Sequence, residues 1–361
     1  MLYNFNIHLI EYQTLNIVKE NFFGFLLVSS LVVFSVLLNK YLSNNNILIS
    51  AAFICILLGL LIGNLFPSNI KIETFINFSL KKLLRTGIAL LGLSLSLTEL
   101  YNYGSISLFL IVINIIIAFV IIKYLCKFFK VSNSLGYLIT MGTCICGVTA
   151  VIATSSIIKS DKNETSYAVG IVTLFGMIAV FTYPYLANYY FDLTPDLAGA
   201  FLGTAIHDTA QVSAAGVIYS EIYNSPEALN SAMTTKLLRN SFLIILIPLI
   251  AYLYNKDNDI NVKKSVKDFF PLFVLGFIFL SFLRTIGDGL ITDSSLINHW
   301  KNSLIFAKEI SIYCILFAMV ALGLQTNLKN MVKLGVKPLL IGLAASTSVG
   351  IVSVVYLIQI Y

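Results

Sequence analysis

Residues 142–155 read "GTCICGVTAVIATS" and residues 203–216 read "GTAIHDTAQVSAAG". At an offset of 61 the two stretches share Gly, Thr, Ile, Val and Ala at five of fourteen positions. Both place glycines and small hydroxyl residues, which are poor helix formers, in the middle of apolar sequence. The second adds His207, Asp208 and Gln211 within five positions. In a soluble core such residues make a minor polar pocket, so their meaning depends on what surrounds them.

Composition identifies the surroundings as lipid. Of 361 residues, 58% are hydrophobic and 11% charged, against about 25% charged in soluble domains. Eleven apolar segments fall near 22–38, 47–65, 83–97, 105–122, 136–157, 167–187, 198–218, 234–254, 269–283, 303–325 and 337–358. Most are long enough to cross a hydrocarbon core of ~30 Å. The two short ones, 83–97 and 269–283, mark places where transporter helices unwind. The sequence therefore predicts an all-α polytopic membrane protein with about eleven transmembrane helices in one domain, 1–361. Residues 1–21 form a cytoplasmic N-terminal segment and 22–358 the helical bundle. The N-terminal stretch is too polar for a signal peptide and is expected to be retained.

Loop charge orients the chain. Loops on the N-terminal side carry fourteen lysines, and the opposite loops carry five basic residues, Lys40, Lys159, Lys162, Arg284 and Lys301. Cytoplasmic loops are enriched in Lys and Arg, which predicts a cytoplasmic N-terminus and an external C-terminus in the cell membrane. The basic residues report topology and not nucleic-acid binding. Five scattered cysteines without a CxxC pair read as reduced packing residues, so no metal or cofactor is expected. The chain has no HExxH, nucleophile elbow or phosphate-binding loop, which argues against an enzyme.

Four basic residues fall inside spans: Arg85, Lys236, Arg239 and Lys308. Arg85 lies near a span end and can snorkel to the headgroups. On one continuous helix, Thr204, Asp208, Gln211 and Ala215 share a face with His207 at its margin, and a carboxylate there must turn toward the bundle interior or a water-filled cavity. Lys236, Arg239 and Asn240 stand at i, i+3 and i+4. By helical rise, Gln211 lies ~20 Å from the inner face, and Lys236, Arg239 and Lys308 lie within ~10 Å of the outer one. The stretch with Thr143, Cys146, Gly147 and Thr149 is either a small-residue packing surface or a discontinuous helix whose freed N–H groups face an anion.

If these spans converge, up to three cations meet one aspartate and one histidine. Excess buried positive charge is costly without something negative, so a small anion is the expected substrate. Asp208 would hold Lys236 or Arg239 in the empty site, and His207 could couple a proton. The alternative is a cation/proton antiporter of the Na+/H+ type in which Asp208 binds the ion and the basic residues are structural.

A second alignment, at an offset of 231, lays "GIALLGLSLSLTELYNYG" (87–104) over "AMVALGLQTNLKNMVKLG" (318–335). With eleven crossings these segments run in opposite directions, as inverted repeats do, but the offset-61 pair runs parallel. One in-order duplication cannot generate both relations. Either a span is miscounted, the halves are permuted, or one alignment is chance.

"LLRTGIALLGLSLSLTEL", "GTCICGVTAVIAT", "GTAIHDTAQVSAAG", "TKLLRNSFLIILIP" and "FAMVALGLQTNL", in this order, resemble the YeiH family of sulfate exporters, within the cation/proton antiporter and anion transporter superfamily. The resemblance implies a ten- or eleven-helix inverted-repeat fold with a core domain, a scaffold domain and broken crossing helices. It implies alternating-access export of sulfate or a related sulfur oxyanion or organosulfonate, with a proton or sodium as candidate coupling ion, and leaves room for a homodimer. His207, Asp208, Gln211, Lys236 and Arg239 match the family's polar positions, and Gly142 to Gly147 its Gly/Cys segment. The family often carries Glu at the position of Asp208 and Ser at that of Thr143.

Overall fold

The computed structural model describes residues 2–45, 47, 49–66, 72–258, 273–291, 294–327 and 335–360. Among them every regular element is helical, as lipid demands of a chain that must satisfy its own backbone. Helix α1 (Leu2–Asn44) is followed by α2 (Ala51–Leu65), α3 (Glu73–Phe78), a π-helical turn (Ser79–Leu83) and α4 (Leu84–Leu91). Then come α5 (Leu97–Phe129), α6 (Asn133–Cys144), α7 (Val148–Ile158), α8 (Lys162–Phe191), α9 (Pro195–Ala205) and α10 (Thr209–Tyr223). The chain closes with α11 (Pro226–Ser241), α12 (Leu243–Asn258), α13 (Phe273–Leu290), α14 (Ser294–Gln325) and α15 (Val336–Ile360). Among the described residues seven helical stretches are long and apolar enough to cross a membrane, with α11 and α12 forming one of them. Residues 2–21, expected as a separate N-terminal segment, continue the backbone of α1.

Caps in the sequence set the helix ends. Ser96 and Glu99 form a capping box that starts α5, satisfying donors the first turn cannot pair internally. Lys130 ends α5 in the left-handed region at φ 55°. Ser50 starts α2 by accepting from the Phe53 N–H at 3.0 Å.

The two quoted stretches do not cross the bundle; each doubles back. Helix α6 stops at Cys144 and α7 starts at Val148, with Gly147 between them at φ +66°. A Cβ on Gly142 would lie 2.7 Å from Val151 Cγ2, whereas nine residues along a straight helix span ~13 Å. The outer ends of the pair also meet. Ser132 Oγ donates to Glu164 at 2.5 Å and Ser160 bonds Thr165 at 2.9 Å, so α6 begins and α7 ends beside the start of α8.

The second hairpin is fixed by α11. Gly199 lies against Ala228 and Ser231, and Gly203 against Ala232 and Thr235, so α9 runs parallel to α11. Gly216 lies against Leu229 and Ser213 Oγ meets Met233 Sδ at 3.3 Å, so α10 runs antiparallel to the same stretch. Ile206 to Asp208 is therefore a turn at the tip of a hairpin. Helix α6 enters at the start of α8 and α9 at its end, so the hairpins come from opposite faces of the bundle.

Segments 136–157 and 198–218 are thus broken, as expected, and re-entrant, so these two do not count among the expected crossings of about eleven. Two short antiparallel helices and one span need similar numbers of apolar residues, so hydropathy does not separate them. The correction also reconciles the two alignments. The hairpins are inverted relative to one another, as an offset of 61 then requires. At an offset of 231, Gly92 and Gly323 match, and both are sites of close approach. A Cβ on Gly92 would lie 2.2 Å from Phe277 O of α13, and one on Gly323 2.4 Å from Ile56 O of α2. The first repeat is α2, α3–α4, α5, α6–α7, α8. The second is the same order permuted: α9–α10, α11–α12, α13, α14, α15.

Turning the first hairpin back moves Lys159 and Lys162 to the side of Lys130, and the loop tally changes from fourteen against five to sixteen against three. The stronger bias is independent support for the hairpins. In a cysteine-free background, single cysteines at Lys130 and Lys159, both exposed, are expected to react with an impermeant maleimide from the same side of the membrane. Reaction from opposite sides would restore a crossing helix.

Candidate functional site

The hairpin tips meet beside α11, and four half-helix ends converge there: the C-termini of α6 and α9 and the N-termini of α7 and α10. The last carbonyls of a helix lack internal partners and carry about half a negative charge; the first N–H groups carry the opposite. Within a membrane both sets need partners.

Lys236 and Arg239, one turn apart on α11 and buried, supply partners for the carbonyls. Lys236 Nζ donates to Ile145 O at 2.8 Å, to Ile206 O at 3.1 Å and to His207 O. Arg239 donates from Nε to Cys144 O at 2.5 Å, from Nη2 to Thr143 O, and from Nη1 to Thr204 O at 2.5 Å and Ile206 O at 3.1 Å. Each cation bridges both hairpins. They therefore neutralise two helix C-termini and do not project into a cavity.

Asp208 does the converse. It is the N-cap of α10, accepting from the Ala210 N–H at 2.9 Å, and its carboxylate also lies close to the Val148 N–H that opens α7. Gln211 closes the capping box by accepting from the Asp208 N–H at 3.2 Å, and its Nε2 donates to Thr173 O of α8 at 3.2 Å. Two glycines admit this arrangement. A Cβ on Gly147 would lie 2.6 Å from Asp208 Oδ2, and one on Gly176 1.9 Å from Gln211 Oε1.

The structure brings together Thr143, Cys146, Gly147, Thr149, Thr204, His207, Asp208, Gln211, Lys236 and Arg239 on the two tips and α11, and leaves Lys308 apart. Thr143 contributes its carbonyl, and Cys146 is buried at the first tip. Thr149 is exposed on the first turn of α7, and Asp208 and Thr209 are half-buried, so this is the open side of the junction. His207 gives its carbonyl to Lys236, and its Nδ1 is buried without a hydrogen-bond partner.

Thr204, like Thr143, gives its carbonyl to Arg239, while its hydroxyl bonds Ala200 O at 2.8 Å and Ser353 Oγ at 3.1 Å, and Ser353 also accepts from Asn114 at 2.8 Å. The break at 206–208 places Thr204 and Gln211 on different helices, so they do not share one face. Lys308 is away from the tips, one turn before Ser311, which bonds Gly87 O of α4 at 2.6 Å. Equal depth placed it level with Lys236, but depth carries no lateral information. Lys236 and Arg239 are also deeper than expected, because α11 starts at Pro226 and ~1.5 Å of rise per residue puts them ~15–20 Å in. Asp208 forms no ion pair within 4 Å with either cation; among the described residues the ion pair is Arg284–Asp288. The carbonyl ends take the place of the expected carboxylate.

Sequence reasoning missed Thr173 and Gly176 on α8. The glycine was the available signal, in a span otherwise rich in large residues. Because Arg239 is the buried partner of several carbonyls, and an orphaned buried polar group costs about 1–3 kcal/mol, Arg239→Gln is expected to lower the melting temperature in detergent markedly, while Thr149→Val leaves it near wild type. Equal melting of Arg239→Gln and wild type would contradict the bridging role.

The model of a family described as conserved hypothetical protein 698 matches residues 23–342. A UPF0324 membrane protein of Fusobacterium nucleatum is 33% identical over 306 residues, covering 83% of this chain and 88% of its own. One of Streptococcus agalactiae is 31% identical over 335 residues, covering 93% and 96%. One of Campylobacter jejuni is 31% identical over 327 residues, covering 88% and 89%. No solved structure matches significantly.

Proposed function

The chain belongs to the family of conserved hypothetical protein 698, the YeiH family of multi-pass membrane proteins, and from that premise we propose that it is a secondary transporter of a small anion. The substrate class is sulfate or a related sulfur oxyanion or organosulfonate, exported by alternating access across the cell membrane. The sixteen-to-three loop bias supports a cytoplasmic N-terminus.

One observation carries the reading: two inverted hairpins meet at their tips around Asp208, Lys236 and Arg239. Inverted repeats with half-helix ends at the midplane are how secondary transporters build substrate sites. The charges also favour an anion. With about half a charge at each helix end, two C-termini offset the two cations in part, and two N-termini offset Asp208. Two cations less two C-terminal half-charges, plus two N-terminal half-charges and less one carboxylate, leave an excess of about one positive charge at the junction. An anion would bind on the open side, at the first turns of α7 and α10 with the Thr149 and Thr209 hydroxyls, competing with Asp208 for the Val148 N–H. His207 and Asp208 are the groups through which a proton could be coupled; sodium is the other coupling ion to test.

A cation/proton antiporter is the second reading. What favours it is that Lys236 and Arg239 spend their donors on carbonyls, leaving Asp208 as the charged side chain nearest the open side.

Proteoliposomes separate the two. Wild type is expected to exchange labelled anion from a panel of sulfate, sulfite, thiosulfate, taurine and sulfoacetate. Asp208→Asn should still bind the anion but exchange it about tenfold more slowly, since release needs the carboxylate to reclaim its N–H partners. Sodium-driven proton flux in wild type, lost in Asp208→Asn and accompanied by no anion exchange, would overturn the anion reading.

A further inference from the structure

The hairpins are related by the repeat, yet they are held differently. The outer arm of the second, α10, packs against α2 and α14. At its end Glu221 lies at the membrane face, and its Oε2 accepts from the Ala51 N–H at 2.6 Å. The Ala52 N–H also lies close to this carboxylate, and Ser50 satisfies the Phe53 N–H. The free donors that open α2 are thus shared between its own N-cap and a carboxylate from the other repeat.

By the repeat, α10 corresponds to α7, α2 to α13 and α14 to α4. The corresponding contacts are missing. Among the described residues α7 has no comparable packing against α4 or α13. One face of α7, Thr149, Ile152 and Ser156, is exposed. At the offset of 61 the position of Glu221 is occupied by Ser160, which bonds Thr165 of α8 instead. Among the described residues one end of the repeat is docked and carries a carboxylate clamp, and the other shows neither.

We infer that Glu221 is a positioning residue, a latch that holds α10 on α2 and so selects one of two repeat-related states. In the other state α10 leaves α2 and α14, and α7 lays its Thr149, Ile152 and Ser156 face onto α4 and α13. This inference rests on the transporter reading for its purpose, but not for its test. A carboxylate that caps a helix at an exposed face is weak enough to release: losing such an acceptor shifts a two-state ratio by roughly two- to thirtyfold.

The test is a distance distribution between spin labels at Ser156 on α7 and Leu275 on α13, both exposed, in protein lacking the native cysteines and reconstituted in lipid. No substrate is needed, so the result does not depend on what, if anything, is transported. Glu221→Ala is expected to increase the short-distance population severalfold over Glu221 protein. If Glu221→Ala does not fold, Glu221→Gln, which keeps an acceptor and loses the charge, is read the same way with a smaller expected shift. Cross-linking cysteines placed at positions 51 and 221 with a short bismaleimide should abolish the short population. Unchanged distributions in a folded Glu221 variant, or a short population surviving the cross-link, would overturn the latch. Anion exchange failing in wild type while the distances shift as described would instead remove the proposed function and leave the latch standing.

Discussion

Two cations on one helix turn hold the junction together. Where α6 and α9 stop at membrane depth, their terminal carbonyls have no water to turn to, and leaving such groups unpaired in lipid costs several kcal/mol each. Lys236 and Arg239 reach carbonyls of both tips. Without them neither hairpin end is satisfied, and the close approach of Gly147 to Asp208 loses its support. The arrangement is mutual: the carbonyl ends make burial of two positive charges tolerable, and the charges make a chain break at the midplane tolerable.

The two hairpins share their helix-turn-helix order and differ in chemistry. At the offset of 61, Gly147 stands over Asp208, and on the neighbouring helices Phe175 and Ile178 of α8 stand over Lys236 and Arg239 of α11. All the charge at the junction therefore comes from the second repeat, while the first supplies apolar packing and a glycine that lets the carboxylate in. A duplicated hairpin gives two pairs of half-helix ends. Charge on one side only turns that scaffold into a site with a net sign.

Helical class, membrane setting and the polar positions at 207, 208, 211, 236 and 239 were legible in the sequence, because apolar length and isolated charge in lipid leave few readings. The hairpins were not, since a re-entrant pair and a span contain the same kind of residues in similar number. The conflict between the two alignments was the available sign. It disappears once residues 145–147 and 206–208 are turns and the second repeat is permuted. The partners of Lys236 and Arg239 were also illegible: backbone carbonyls carry no sequence signature, whereas Asp208 did and so drew the expected ion pair. Lys308 shows the remaining gap, because depth along a helix says nothing of which helices are neighbours.

Lys236 and Arg239 join two re-entrant tips through backbone carbonyls, and the rest of the junction depends on that bridge. A side-chain-resolution density map of the protein in a lipid nanodisc, without added anion, tests this most directly. The account predicts density that doubles back at 145–147 and 206–208, with both cationic side chains reaching carbonyls of both tips and Asp208 on the Val148 amide. Continuous helices through either stretch, or Lys236 and Arg239 turned away from the carbonyls to pair with Asp208, would contradict it.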